Sequence, residues 1–247
     1  MKLLVLQHVE VEHPGVFRDF LRADGVQTDT VQLGDGDKIP ALDPYDMMLV
    51  MGGPQDVWQE SEYPWLGEEK AAIRRFVVDM GRPYLGICLG HQLLAAAIGG
   101  SVVSAGQAEV GVMSVSMTGA GKSDPFFQGI PDPLAVLQWH SAEVTFLPGN
   151  TQVLAYSDAC AIQAFRYGRH AYGLQCHVEI TPDTVPEWAA IPEYAMALEK
   201  LMGAGASTKL QATVDEQLPA FRRNAEMLYR NYVRIIEPAL TVKAARA

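Results

Sequence analysis

The 247-residue chain is poor in cysteine: it has three, far apart, and no Cys-x-x-Cys or His-x-x-x-His pair. That excludes a disulfide framework and the usual zinc-site spacings, so no metal is expected. An odd, dispersed set of thiols fits a reducing compartment, and a cytoplasmic location is expected. Long apolar runs are also missing. No stretch approaches the ~20 residues needed to span a bilayer, and residues 1–8 turn polar too soon for a signal peptide, so no membrane partner is expected. Positive charge is scarce: 19 Lys and Arg against 29 Asp and Glu give a formal net charge of −10. No local Lys/Arg cluster reverses that balance, and an acidic surface repels phosphates, so nucleic acid is not an expected partner. No internal repeat or low-complexity segment is present. What remains is a chain that is 49% hydrophobic, too apolar for disorder and long enough for one large domain or a domain with a helical extension.

Along the chain, residues 2–7 read as a buried strand, 14–23 as a helix stopped by Gly25, and 26–33 as a half-exposed strand. A short apolar run at 47–51 ends at Gly52-Gly53-Pro54. Leu66, Ile73, Phe76, Val77 and Met80 share one helical face, and a strand follows at 84–87. Strands alternating with helices predict an α/β fold, a doubly wound and mainly parallel sheet whose functional loops gather at the C-terminal strand ends. From 101 to 175 the texture changes to short β-like runs, at 110–117, 134–138, 153–156 and 161–167, which predict antiparallel strands added to that sheet. After Thr181 the chain reads as helical. Leu218, Phe221, Ala225, Leu228, Tyr232 and Ile235 form one apolar stripe, residues 203–207 a hinge, and 241–247 a frayed tail. The expected organisation is a domain over 1–181 with a helical extension, 182–247, packed on it.

The most informative segment is Gly86-Ile87-Cys88-Leu89-Gly90-His91-Gln92, between the strand at 84–87 and an apolar helix. A cysteine there sits on a sharp turn, and Gly86 and Gly90 flank it where side chains would crowd the turn. The thiol is thereby held out of the core at a helix N-terminus, which favours a thiolate. A free cysteine is most often a small buried hydrophobe; the tight glycine spacing argues against that here. Far downstream, His177-Val178-Glu179 continues a strand-like run from His170. On an extended chain His177 and Glu179 point to one side, so the carboxylate can fix the imidazole tautomer while the other nitrogen serves Cys88. Taken alone, such a pair is more often a solvated strand end. Cys176 and His177 face opposite sides of a strand, which argues against a metal site built from Cys88, Cys176, His177 and His140.

Four stretches together resemble the class I (triad) glutamine amidotransferases, and most closely free-standing members similar to the amidotransferase domain of GMP synthetase. Met51-Gly52-Gly53-Pro54 is similar to the family's oxyanion loop, Gly86 to Gln92 to its nucleophile motif, and Trp139-His140-Ser141 to the segment lining the glutamine pocket. Gln175-Cys176-His177-Val178-Glu179 resembles the family's Gln-Phe-His-Pro-Glu. The likeness runs in order from about residue 1 to 181. The chain departs from the pattern at Cys176 and Val178, and at Ala142, where many members carry Asp; Glu143 is the nearest replacement in sequence.

The resemblance implies a flavodoxin-like amidotransferase fold and cleavage of the glutamine side-chain amide. Cys88 is then the nucleophile, His177 the acid–base group and Glu179 its orienting partner. Gly53 and Leu89 supply oxyanion N–H groups, and Gly52, Gln92, His140 and Ser141 meet the substrate. No cofactor is implied. Residues 182–247 are too few for an acceptor domain of ~100 residues or more, so the ammonia is expected to go to a separate synthetase subunit. Two alternatives stand: a γ-glutamyl peptidase or other γ-glutamyl hydrolase, and a binding module that kept the fold. Other residues have structural readings. His91 and His8 are expected to be structural and Trp139 to pack. Asp56, Trp58, Glu60 and Glu62 form either a lid or a solvated loop.

Overall fold

The computed structural model describes the backbone of residues 1–244 and the side chains of residues 1–240. Nine strands form one sheet in the order β2-β1-β3-β4-β9-β8-β7-β5-β6. Strands β1 (Lys2–Gln7), β2 (Gln27–Gln32), β3 (Met47–Val50), β4 (Tyr84–Ile87) and β9 (Ala171–Leu174) run parallel. Antiparallel pairing then carries the sheet through β8 (Ala164–Tyr167), β7 (Thr151–Tyr156), β5 (Ser101–Met117) and β6 (Leu134–Phe146). The doubly wound parallel sheet with added antiparallel strands is therefore present, the two halves being nearly equal in strand number.

The inner parallel strands β1, β3, β4 and β9 are buried on both sides because helices cover both faces, whereas the edge strand β2 is polar and largely exposed. Leu3, Val5, Leu49 and Ile87 face a core that includes Phe17 and Phe20 of α1 (Phe17–Ala23). Leu4, Leu6, Met48 and Val50 face Leu66 and Ile73 of α2 (Trp65–Arg74) and Leu93 and Leu94 of α3 (Leu89–Ala97). A short α4 (Gly119–Ser123) connects β5 to the segment before β6. Three helices follow among the described residues: α5 (Thr184–Ala189), α6 (Pro192–Met202) and α7 (Ala206–Ala244).

Three expectations change in detail. β5 and β6 extend for 17 and 13 residues, so Trp139-His140-Ser141 lies inside a strand. β9 stops at Leu174, and His177 is held by an isolated bridge to Leu137, so the His177–Glu179 pair is not on one continuous strand. The stripe on α7 buries Phe221, Ala225, Leu228 and Tyr232 as expected, but Ile236 takes the inward position in place of Ile235. Residues 241–244 continue α7; the rest of the expected frayed tail, 245–247, lies outside the described residues.

Candidate active site

The C-terminal ends of β1, β3, β4 and β9 meet at one place. Gly52-Gly53-Pro54 leaves β3, Cys88 leaves β4, and Gln175 to Glu179 leave β9. Cys88 takes φ 51° and ψ −104°, a conformation non-glycine residues rarely adopt and one that persists only when its surroundings enforce it. They do so through the flanking glycines. A Cβ on Gly86 would stand 2.4 Å from the Gly90 carbonyl oxygen, and one on Gly90 would stand 2.2 Å from that of Val50. Helix α3 begins at Leu89, so Cys88 occupies its N-cap.

His177 Nδ1–H donates to Glu179 Oε1 at 2.7 Å, and the Val178 N–H donates to Glu179 Oε2 at 2.9 Å. The imidazole is edge-on to Trp188, with ring centroids 4.5 Å apart. Burial opposes protonation of His177, but the Glu179 charge and the nearby Cys88 thiol outweigh it and hold the imidazole well above its ordinary range. His177 Nε2 has no hydrogen-bond partner, although Cys88 is near enough to act on the ring. The side-chain amide of Gln175 donates to Cys88 Sγ at 3.6 Å.

A cavity of about 100 Å³ opens over Cys88, lined among others by Gly53, Leu89, Gln92, His140, Ser141 and Ala142. It is small beside the ~300–1,000 Å³ of sites for drug-sized ligands. Every expected oxyanion and substrate residue except Gly52 lines it, whereas His177 and Glu179 do not. Two of the expected substrate contacts have side-chain nitrogens engaged within the protein. Gln92 Nε2 donates to the Ala142 carbonyl and to Gln175 Oε1, and His140 lies between the Ala142 carbonyl and Glu109 Oε2. Glu143 is not in the wall and does not replace the missing Asp; the carboxylates there are Asp56 and Glu193. A larger cavity, about 960 Å³, lies at the N-terminal ends of the parallel strands beside Pro83 and His170 and contains none of the expected site residues.

Two features escaped the sequence reading. Helix α6 forms part of the wall through Glu193, Tyr194 and Ala197. Glu12, in the loop after β1, is buried, accepts a hydrogen bond from the Tyr194 hydroxyl at 2.6 Å, and comes close to His177 and Glu179. Its position just beyond a strand's C-terminal end was the available signal. Among the described residues Glu12, His177 and Glu179 are the only group whose ligand atoms converge as a metal site would require. Glu12 Oε1 accepts from Tyr194 and Glu179 accepts from His177, while Glu12 Oε2 and His177 Nε2 have no partner. His91, Trp139 and the segment after Pro54 are held by packing and polar contacts. His91 is fully buried against Phe165, and burial drives it down to about 3. Trp139 packs on Trp188 and Tyr194. The segment after Pro54 is pinned by Lys70, which donates to the Val57 carbonyl and pairs with Glu60.

The three thiols differ in a testable way. All three are buried, Cys88 at the edge of a core cluster and not clear of it as expected, but burial pushes Cys160 up to about 11 and Cys176 higher still, whereas Cys88 also lines the cavity. A brief exposure to limiting iodoacetamide, mapped by peptide mass spectrometry, should alkylate Cys88 first. Preferential modification of Cys160 or Cys176 would overturn its assignment as the reactive thiol.

Residues 17–187 match the family model described as glutamine amidotransferase class-I. Over 92% of this chain and 90% of the relative, the sequence is 31% identical to gamma-glutamyl peptidase 5 of Arabidopsis thaliana. It is 35% identical to a glutamine-hydrolyzing GMP synthase subunit of Picrophilus torridus over 55% of this chain and 68% of that one. A solved glutamine amidotransferase from Thermotoga maritima superposes with a TM-score of 0.83 at 29% identity, covering 96% of this chain and 98% of its own. No described helix is long and apolar enough to cross a membrane.

Proposed function

The chain belongs to the class I glutamine amidotransferase family, and from that premise we propose that it opens a γ-glutamyl amide through a thioester on Cys88, with glutamine as first substrate. The observation that carries this reading is the strained Cys88 at the head of α3, in one small cavity beside the His177–Glu179 pair. Cys88 Sγ attacks the side-chain carboxamide carbon, and its proton passes to His177. The N–H groups of Gly53 and Leu89 receive the oxyanion; losing one such donor costs ~10²–10³-fold in rate. His177 then protonates the departing ammonia. A water attacks the thioester, returning a proton through His177, and glutamate leaves with the thiol restored. Glu179 keeps Nδ1 protonated and the ring aligned throughout.

The ammonia goes to a separate synthetase subunit in this reading, which the likeness to a GMP synthase subunit supports. Free glutamine should then be hydrolysed slowly by the pure protein and faster in the presence of its partner. Ala142 points the same way, because a loosely held substrate can lose ~10²-fold in rate. A second reading, γ-glutamyl peptidase, is favoured by the similarity to gamma-glutamyl peptidase 5 along almost the whole chain, including the α6 segment that walls the cavity. Glutamate release from glutamine and from a panel of γ-glutamyl dipeptides, with and without cell extract, separates the two. Fast glutamine turnover that extract leaves unchanged would sink the partner; faster cleavage of a γ-glutamyl dipeptide would favour the peptidase. Incubation with a chloroketone analogue of glutamine should add one adduct, at Cys88, and no adduct would point to a non-catalytic module.

A further inference from the structure

His8 follows β1 and is fully buried. Its Nδ1 is 2.7 Å from the Gly52 carbonyl oxygen, and its Nε2 is 3.1 Å from both oxygens of Glu69, a fully buried side chain on α2. Both ring nitrogens therefore face acceptors. A neutral imidazole carries one N–H and would leave one acceptor opposite a lone pair; the imidazolium satisfies both. Burial opposes that charge, but Glu69 and the Gly52 carbonyl outweigh it and raise the ring above its ordinary range. Trp65 stacks on the ring at 5.4 Å and 17°. Glu12 is the other charged group that acts on it.

The consequence lies in the next peptide bond. In a trans peptide the carbonyl and the following N–H point in opposite directions. With the Gly52 carbonyl held by His8, the Gly53 N–H is turned away from His8; Gly53 lines the cavity while Gly52 does not. A peptide between two glycines has little steric resistance to flipping, and a flip would aim a carbonyl oxygen at a developing negative charge. Donation to that carbonyl also polarises the amide and strengthens its N–H as a donor.

We propose that His8 is a positioning residue for hydrolysis: paired with Glu69, it locks the Gly52–Gly53 peptide so that the Gly53 N–H is presented to the oxyanion. This rests on the reading that Cys88 attacks and Gly53 N–H receives the charge.

The test compares His8→Asn, Glu69→Gln and the double variant His8→Phe/Glu69→Gln, which leaves no unpaired buried charge. Asn places an amide donor near the Nδ1 position and should lose ~10-fold in kcat. Glu69→Gln, the variant least disruptive to folding, should lose a similar factor, and the double variant ~10²-fold, with KM within about 3-fold. A γ-aldehyde analogue of glutamine, which adds to a thiol to give a tetrahedral oxygen, should lose affinity in step with kcat/KM. Alkylation of Cys88 by iodoacetamide, which forms no oxyanion, should stay within about 2-fold. Unchanged kcat in Glu69→Gln and the folded double variant, unchanged aldehyde affinity, or alkylation falling in parallel with kcat would each overturn the proposal. If the unsubstituted protein neither binds the aldehyde nor is alkylated at Cys88, the Cys88 reading itself has failed.

Discussion

Cys88→Ser and His177→Ala should each lower kcat for amide hydrolysis by about 10⁴-fold or more, whereas Glu179→Gln should leave a measurable fraction of the activity. The ordering follows from what each group would do. Serine in place of Cys88 keeps the shape of the turn but loses the intrinsic nucleophilicity of sulfur. Loss of the imidazole removes the route for the proton in both half-reactions. Glutamine at 179 can still accept from Nδ1 through its amide oxygen, so orientation is weakened more than abolished. Because His177→Ala leaves a buried carboxylate without its partner, its thermal melt has to be compared with that of His177→Ala/Glu179→Gln, in which that charge is gone. Glutamate release is the readout. Full activity in His177→Ala would require another base. His140 would be examined first, since His91 is packed away from solvent and held neutral by burial.

The elbow was legible in the sequence because its requirement is steric and local: two glycines at fixed distances from Cys88 leave no space for a Cβ. The inner parallel strands were legible for a related reason, since a strand covered on both faces is a short apolar run, as in Leu3 to Leu6. β5 was not. Its first half alternates among exposed and half-buried residues, and the strand is interrupted by Gly106 and Gly111, so a single 17-residue strand reads as fragments. The His177–Glu179 pairing was anticipated from an extended geometry, but the bond is made by a bent segment anchored to Leu137. A two-residue separation suits both arrangements, which is why the pairing could be read and the backbone could not.

Glu12 and Glu69 escaped notice because an acidic residue in a loop or on a helix defaults to the surface, and the partners that bury them lie 182 and 61 residues away. Glu69 did leave a trace. The apolar stripe runs through Leu66 and Ile73 of α2 into Phe76 and Val77 just beyond it, and Glu69 fills the inward position between the first two. A charge on an otherwise apolar helical face marks a buried polar partner, and in this structure the partner is His8.

Residues 1–181 expressed alone should fail to fold, which tests the proposal that 182–247 is part of the same folding unit and not an appended one. Leu228, Tyr232 and Ile236 of α7 sit in the core that also holds Leu3, Leu49 and Leu85, while Trp188 and Phe221 close a second cluster over Leu137 and Trp139. Losing the burial that these five absent side chains contribute, at ~1.5–3 kcal/mol each, forfeits roughly 8–15 kcal/mol, comparable to the ~5–15 kcal/mol that holds an ordinary domain together. The fragment would also lose the wall of the candidate site, because Trp188 contacts His177 and Tyr194 holds Glu12. Expected are an aggregated or dye-binding product without near-ultraviolet circular dichroism, and no Cys88-dependent hydrolysis. Adding the 182–247 peptide in trans should restore little, because α7 threads between two cores and is not a detachable cap. A cooperative melt from the 1–181 fragment would overturn this, and would recast the C-terminal helices as an accessory that shapes the cavity without supporting the fold.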